Sequence, residues 1–188
     1  GENPYARACW RQIEWLRGDA QLPVIVDADA LNLASLLGED WAGRAQPRTI
    51  LTPHPGELSR LLGRDAGEIQ ADRKAAVRDM LAGFGGEKDE GPVLVLKGAG
   101  TLVASGRKLY QNSTGNPGMA TGGSGDVLTG LVAARLAQGD DPARAAQLAV
   151  HLHGLAGDLA VAAGVTPAVP AGTLVEYLSQ AYDKLAKA

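Results

Sequence analysis

Residues 22–32 read LPVIVDADALN, and this stretch decides the expected architecture. Its apolar part, from Leu22 to Val26, lacks the polar–apolar alternation of a half-exposed strand, which is typical of a strand buried on both faces. Asp27 and Asp29 follow directly, and Ala30–Leu37 has the pattern of a helix stopped by Gly38. A buried strand, a polar strand end and a helix form the repeating unit of an α/β protein.

The same unit recurs along the rest of the chain. Further strands are predicted at Thr49–Thr52 and Pro92–Leu96, and a hairpin is predicted from Thr101–Ala104 and Lys108–Asn112. Helical patterns cover residues 5–17, 57–62, 65–83, 126–138, 142–163 and 170–186. The alternation predicts an α/β fold with a mostly parallel sheet and helices on both faces, in one domain over residues 1–188.

The unusual motifs lie where predicted strands end. They occupy residues 27–29, 52–57, 97–101 and 112–126. Because ligands of open α/β sheets bind beyond the carboxyl ends of the strands, we expect these motifs to share one site.

Composition excludes several classes of protein. The chain has 188 residues, 45% of them hydrophobic, and a net charge of −3, so it lacks the basic surface of a general nucleic-acid binder. Its one cysteine, Cys9, excludes an internal disulfide and agrees with a reducing compartment. No apolar run reaches the roughly 20 residues that cross a bilayer. We therefore expect a cytoplasmic protein without membrane or nucleic-acid partners.

The densest motif is Asn112–Asp126, which reads NSTGNPGMATGGSGD. Glycine allows close backbone approach to a ligand, and successive free N–H groups together with a helix N-terminus bind anions. The loop is neither a Walker loop nor a GxGxxG fingerprint. Asp126 at its exit is the predicted general base for a hydroxyl that attacks a phosphoryl group. The alternative is that Asp126 only caps the following helix.

Three other motifs can contribute to the site. Lys97 to Thr101, KGAGT, can hold a nucleotide by backbone N–H groups and by the charge of Lys97, or can simply turn the chain into a hairpin. His54 lies between two prolines, which favours extended backbone and suits ligand contact; alternatively it lies in an exposed turn before the helix that starts at Glu57. Asp27 can contact metal or substrate, while Asp29 can equally cap a helix.

The motif HLHGLAGD at 151–158 is read as close helix packing at Gly154 and Gly157. The three histidines and Cys9 lack the spacing of a metal site. No nucleophile elbow is present. The sequence therefore predicts no protein-held metal and no covalent catalysis.

Five motifs in this order resemble the ADP- or ATP-dependent NAD(P)H-hydrate dehydratases: VDADALN, TPHPGE, LKGAGT, NPGMATGGSGDVLTG and HLHGLAGD. The resemblance covers almost the whole chain. It implies a ribokinase-like three-layer α/β/α sandwich and a lyase that repairs hydrated NADH and NADPH. ADP, or ATP in eukaryotes, would be the co-substrate with Mg²⁺, and the composition favours ADP.

The resemblance also implies site residues. It assigns Asp126 as the substrate-contacting base and His54 as a substrate contact, with Asn116, in a matching motif, as a further substrate contact. For the nucleotide it implies the stretch Lys97, Gly98, Ala99, Gly100 and Thr101, together with Gly125. Gly1 would be the last residue of a substrate-binding glycine segment.

Members of the family carry further strands before the first helix seen here, so we expect this chain to be the carboxyl-terminal portion of such a domain. Without those strands it would expose a sheet edge and should not be active alone. The family also implies an NAD(P)H-hydrate epimerase domain or partner, and a homo-oligomer, often a tetramer. Two other functions remain open: a vitamin-precursor or sugar kinase of the same superfold, and an inactive nucleotide-binding regulatory module.

Overall fold

A computed structural model describes residues 4–18, 22–36, 48–84 and 91–187 of the chain. It contains a five-stranded sheet in the order β1 to β5. The strands are β1 (Val24–Val26), β2 (Thr49–Leu51), β3 (Val93–Leu96), β4 (Leu102–Ser105) and β5 (Lys108–Gln111). The first three are parallel, and β4 is antiparallel to β3. This confirms the predicted α/β class with a mostly parallel sheet that ends in a hairpin.

Burial of the strands follows their composition. Every residue of β2 and β3 is buried, as expected for apolar runs without alternation. In β5, by contrast, Lys108 and Gln111 are exposed. The interior strands are therefore apolar on both faces, and the strand at the end of the sheet carries the polar side chains.

Helix α1 (Pro4–Gly18) precedes β1, α2 (Asp29–Ser35) follows β1, and α3 (Pro55–Leu62), α4 (Ala66–Ala71) and α5 (Arg73–Gly83) follow β2. The single helix predicted over residues 65–83 is wrong, because the chain breaks between α4 and α5. Asp72 causes the break: its carboxylate accepts a hydrogen bond from Ala75 N at 2.9 Å and so caps α5. The helix predicted over Ala30–Leu37 is α2; the predicted stop at Gly38 lies outside the described residues.

Contacts between residues divide the chain into two compact units. The first comprises residues 1–98, 102–110 and 141–143, and the second comprises 99–101, 111–140 and 144–188. The first unit is built around the sheet. Its core joins α1, α2, α3 and β3 through the buried side chains Trp10, Leu31, Leu58 and Leu94. The single domain over residues 1–188 stays a prediction.

The second unit is helical. It contains α6 (Ser124–Ala137), α8 (Ala171–Ala186) and, from Arg144 onward, α7 (Pro142–Ala162). Ala160, Val169 and Leu174 form one of its buried clusters. A 3₁₀ turn at Pro117–Met119 precedes α6. Within the described ranges, no helix has the length and apolar content that a bilayer crossing requires.

Candidate functional site

In the first unit, the residues at the ends of β1 and β3 meet in an ion cluster. Lys97, directly after β3, places Nζ 2.7 Å from Oδ1 of Asp27, directly after β1, and 3.8 Å from Oε2 of Glu57. The three side chains are largely buried, with exposures of 18%, 13% and 6%. One ammonium therefore serves two carboxylates, and the side chain of Lys97 is already paired before any nucleotide binds.

His54 is the N-cap of α3. Its Nδ1 accepts hydrogen bonds from Gly56 N at 3.0 Å and Glu57 N at 3.3 Å, and His54 N donates to Glu57 Oε2 at 2.7 Å. This reciprocal pair is a capping box. The predicted helix start at Glu57 and the rigid histidine are thus parts of one structure. Because Nδ1 accepts, the ring proton of the neutral imidazole lies on Nε2.

The His54 side chain remains half exposed, and its Nε2 lies 3.4 Å from Oε1 of Glu57. Glu57, which closes the capping box and approaches Lys97, is a residue that sequence reasoning assigned only to the helix start. Its signal was present in the spacing of His54 and Glu57, since an acid three residues after an N-cap is the capping-box signature.

Arg73 is a second residue that the sequence did not reveal. Its Nη2 donates to the carbonyl oxygens of Leu96 at 3.0 Å and Lys97 at 3.2 Å. Burial lowers the pKa of the Arg73 guanidinium. Gly98 lies beside it with φ of 127°, and a Cβ there would lie 3.5 Å from the guanidinium nitrogens. Arg73 therefore holds the start of the predicted nucleotide-binding stretch, 24 residues away in sequence from Lys97.

The rest of that stretch, Ala99 to Thr101, belongs to the second unit. Gly100 has φ of 60°, and a Cβ on it would lie 3.0 Å from Nε2 of Gln111. Asn112 N donates to Thr101 O at 2.9 Å, which ties the stretch to the start of the glycine-rich loop. Two of the predicted motifs are therefore adjacent in the second unit.

The glycine-rich loop leads into α6 at a left-handed glycine. Gly123 is the N-cap with φ of 83°, and α6 begins at Ser124. Gly125 and Asp126 lie in the first turn, where a helix supplies no acceptor for the backbone N–H groups. These N–H groups and the positive end of the helix suit an anion, and the anion-binding nest stays a prediction.

Asp126 does not cap the helix. The cap position belongs to Gly123, which has no side-chain cap, so α6 starts two residues before the prediction and the capping alternative for Asp126 is wrong. Its carboxylate is exposed, and no side chain in the described part of the chain pairs with it. An unpaired carboxylate beside an anion nest can accept a proton from a bound hydroxyl.

The amino-terminal half of the loop rests on α7. Asp158 accepts from Gly115 N at 2.8 Å and from Asn116 Nδ2 at 3.0 Å, and Thr114 Oγ1 donates to His151 O at 2.8 Å. Gly154 leaves no room for a side chain, because a Cβ there would lie 2.3 Å from Thr114 Oγ1. The predicted close packing is confirmed, but the surface that α7 packs against is the glycine-rich loop.

His153 contacts the start of α6 from the same helix. Its Nε2 lies 3.0 Å from Ser124 O and 3.4 Å from Ser124 Oγ. Burial lowers the pKa of His153 below 6.5, although the hydrogen bond to Ser124 opposes this effect. The neutral ring therefore donates from Nε2 to the carbonyl in the first turn of α6, beside Gly125.

The structure thus places nine of the ten predicted site residues. Gly1 lies outside the described residues. Within the first unit it places His54 and Lys97 in one connected network through Glu57. Within the second unit it places Asn116, Gly125 and Asp126 along one loop that α7 supports.

The three parallel strands, the antiparallel hairpin and the glycine loop that opens α6 define a ribokinase-like α/β protein. A solved ribokinase-like superfamily protein from Enterococcus faecalis shares this fold with a TM-score of 0.76 and 27% identity, covering 97% of this chain and 60% of that one. The chain belongs to the NAD(P)H-hydrate dehydratase family, whose model matches residues 4–180.

Individual relatives agree with this family. The chain is 46% identical over 155 residues to an ADP-dependent (S)-NAD(P)H-hydrate dehydratase of Neisseria meningitidis, covering 81% of this chain and 50% of the relative. It is also 46% identical over 159 residues to a bifunctional NAD(P)H-hydrate repair enzyme of Moorella thermoacetica, covering 84% of this chain and 29% of that enzyme. The chain therefore spans half or less of these two relatives.

A solved relative carries the nucleotide. The ADP/ATP-dependent NAD(P)H-hydrate dehydratase from Bacillus subtilis, co-crystallised with ATP/Mg²⁺, is 34% identical with a TM-score of 0.66, and the match covers 73% of this chain and 48% of that one. The family resemblance and the ribokinase-like fold predicted from the five motifs are confirmed.

Proposed function

We propose that this chain forms the catalytic part of an ADP-dependent NAD(P)H-hydrate dehydratase, a lyase that returns the (6S) hydrates of NADH and NADPH to NADH and NADPH. One observation carries the proposal: the exposed, unpaired carboxylate of Asp126 lies in the first turn of α6, directly after the glycine nest. Family membership and the similarity to the ADP-dependent (S)-NAD(P)H-hydrate dehydratase of Neisseria meningitidis support the choice of substrate.

In the proposed reaction, the N–H groups at the start of α6 and the carboxylate of Asp126 have different roles. The N–H groups at the start of α6 stabilise the charge on the phosphoryl group in flight, since such transfers depend mainly on positioning and electrostatics. Asp126 takes the proton of the substrate hydroxyl as its oxygen attacks the terminal phosphorus of ADP, which leaves AMP. The new carbon–oxygen–phosphorus ester then eliminates phosphate, the adjacent carbon loses a proton, and the ring double bond is restored.

The remaining predicted residues divide between the two ligands. Lys97 to Thr101 and Gly125 bind the adenine nucleotide, and because Lys97 Nζ is paired with Asp27, the stretch acts mainly through its backbone. His54 contacts the hydrate through the exposed part of its ring, whose Nδ1 is used by the cap and whose Nε2 lies 3.4 Å from Oε1 of Glu57. The substrate contact assigned to Gly1 remains a prediction.

ADP is the proposed phosphoryl donor, with ATP second, because the Neisseria meningitidis relative is ADP-dependent and the Bacillus subtilis relative is ADP/ATP-dependent. Among the described residues there is no group of three or more His, Cys, Asp or Glu that could hold a metal. This donor set fits a Mg²⁺ ion that arrives on the nucleotide, because Mg²⁺ takes most of its ligands from phosphates and water. The ion would neutralise charge on the phosphates, and Asp126 would keep the role of base.

The proposed setting is a cytoplasmic homo-oligomer, with a tetramer as the expected form. The bifunctional Moorella thermoacetica relative supports an upstream partner activity, which we propose to be an NAD(P)H-hydrate epimerase. Size-exclusion chromatography with light scattering measures the oligomeric state, and a monomer would contradict the proposed assembly.

The activity is tested with hydrated NADH. The full-length protein is incubated with this hydrate and Mg²⁺ plus ADP, ATP or no nucleotide, and the return of the dihydronicotinamide absorbance is followed. We expect recovery with ADP, less with ATP and none without nucleotide, with AMP and phosphate formed in step with NADH. No recovery with either nucleotide contradicts the proposal. Phosphorylation of a vitamin precursor without NADH formation would instead identify a kinase.

A further inference from the structure

Asp158 lies 43 residues after Gly115 in sequence and contacts two consecutive residues of the glycine-rich loop. Oδ2 accepts from Gly115 N at 2.8 Å and Oδ1 from Asn116 Nδ2 at 3.0 Å. We propose that Asp158 is a positioning residue for the loop that ends at Asp126, and that Asn116 serves this arrangement instead of contacting the substrate. The activity readout of this inference rests on the proposed function.

The side chain of Asn116 is engaged at both ends. Its Oδ1 accepts from Gly118 N at 3.1 Å, which makes Asn116 the N-cap of the 3₁₀ turn at Pro117–Met119. A backbone N–H can only donate, so the amide oxygen must face Gly118, and Nδ2 then faces Asp158. Both contacts stay within the loop and its supporting helix. The orientation of Asn116 therefore follows from its neighbours without any ligand.

Gly115 is also held in place by α7. It has φ of 102°, and a Cβ on it would lie 3.5 Å from the Cα of Gly154. Its N–H points at the carboxylate of Asp158 on the helix that carries Gly154. The loop is thus held against α7 by close packing at Gly154 and by one carboxylate that receives two donors. Hydrogen bonds to a charged acceptor are roughly twice as strong as neutral ones.

Exchanging the two side chains gives a direct test. In N116D two carboxylates face each other, and in D158N the new amide can accept from only one of the two loop donors. In the double variant N116D/D158N every donor regains an acceptor: Asn at 158 accepts from Gly115 N and donates to Asp at 116, which still accepts from Gly118 N. The exchange restores the arrangement but removes the amide at position 116.

We expect each single variant to lower kcat/KM for hydrated NADH by about 10- to 100-fold, which is the effect of losing one or two hydrogen bonds to a charged group. The loss should fall mainly on kcat, with the Kd for ADP unchanged. The double variant should return to within about threefold of the wild type, since its interactions are satisfied. The control E176Q removes an exposed carboxylate of α8 and should behave as the wild type.

Amide hydrogen exchange gives a second readout that does not require turnover. Exchange at Gly115 and Gly118 should accelerate in each single variant and slow again in the double variant, while the amides of α6 beyond its first turn stay protected. If the wild type is inactive, the proposed function fails and this readout still tests the inference. Normal kcat in D158N overturns the role of Asp158. A double variant with restored protection but no recovered activity overturns the assignment of Asn116 and shows a direct substrate contact.

Discussion

The ammonium of Lys97 lies 2.7 Å from the carboxylate of Asp27, although 70 residues separate them in the sequence. Each follows a parallel strand directly, so the sheet brings the two charges together at its carboxyl end. Glu57 adds a second carboxylate at 3.8 Å. The lysine thus bridges two strand ends and the first turn of α3.

We expect K97M to lower the free energy of unfolding by about 2 kcal/mol, because it leaves two carboxylates facing each other in a largely dry environment. D27N should cost less, since its amide oxygen can still accept from Ala28 N. Chemical denaturation of both single variants and the double variant should give a coupling energy of about 1 kcal/mol or more.

The exposed pair Arg64–Asp79 is the matched control, at the same 2.7 Å separation but with side-chain exposures of 43% and 45%. Removing either partner there should change stability by less than about 1 kcal/mol. Equal losses at the two pairs would show that burial does not strengthen the Lys97–Asp27 interaction.

His54 should show two separable roles. H54A removes the acceptor for Gly56 N and Glu57 N and should lower stability by about 1 kcal/mol, whereas H54N supplies another good N-cap and should cost less than about 0.5 kcal/mol. Both variants lose the Nε2–H donor, so both should raise KM for the hydrate by about tenfold. A normal KM in a stable H54N protein would confine His54 to the cap.

Asp126 should be required for turnover and dispensable for folding. D126N should lower kcat by about 10² to 10⁴, the usual contribution of a general base. Because the carboxylate is exposed and unpaired, stability should change by less than about 0.5 kcal/mol. Calorimetric titration should give an unchanged affinity for ADP. Retained turnover would remove Asp126 from the proposed role.

Substitution of two helical glycines by alanine should change the stability of the protein in opposite directions. G154A places a Cβ 2.3 Å from Thr114 Oγ1 and 2.6 Å from the Thr114 carbonyl carbon, so we expect a loss of about 1–3 kcal/mol. G130A meets no atom within 4 Å in the middle of α6 and should stabilise the protein by up to about 1 kcal/mol. Thermal and chemical unfolding measure both, and a neutral G154A would show that the loop does not rest on α7.

His153 predicts a pH dependence of stability. Burial holds its pKa below 6.5, so the unfolded chain binds a proton at this position at a higher pH than the folded chain does. The stabilisation is present above about pH 6.5 and is lost as the pH falls towards the folded pKa. H153Q can still donate to Ser124 O and should flatten the curve of unfolding free energy below neutrality. If the wild type and H153Q gave the same curve of unfolding free energy against pH, His153 would not be the source of the pH dependence.

The general fold could be predicted because its signals are local. Buried strands without alternation, as at Val93–Leu96, need only their own composition to be recognised. The anion-binding nest before α6 is likewise predicted by glycines that are close together in the sequence. The helix break at Asp72 was missed because the apolar pattern continues through it, while a single side chain competes for the backbone N–H of Ala75.

The supporting residues of the site could not be predicted for a different reason. Arg73 and Asp158 act on backbone groups 24 and 43 residues away, and a carbonyl or N–H has no sequence signature. Asp158 lies in the motif HLHGLAGD, which the close packing of Gly154 and Gly157 was enough to explain, so there was no reason from the sequence to assign Asp158 a further role. Only the path of the loop across α7 shows that the packing and the carboxylate serve the same segment.

Gly115 precedes Asp158 by 43 residues, so the ribosome synthesises the loop residue well before the carboxylate that holds it. Chains grow from the amino terminus, so the residues of the glycine-rich loop leave the ribosome before the helix that holds them. A nascent chain that ends before Asp158 contains every residue of the anion nest but lacks the carboxylate that orders its first half. The glycine-rich loop should therefore become ordered only after α7 has formed, and a ribosome-stalled chain shortened to residue 150 should leave Gly115 and Asn116 unordered.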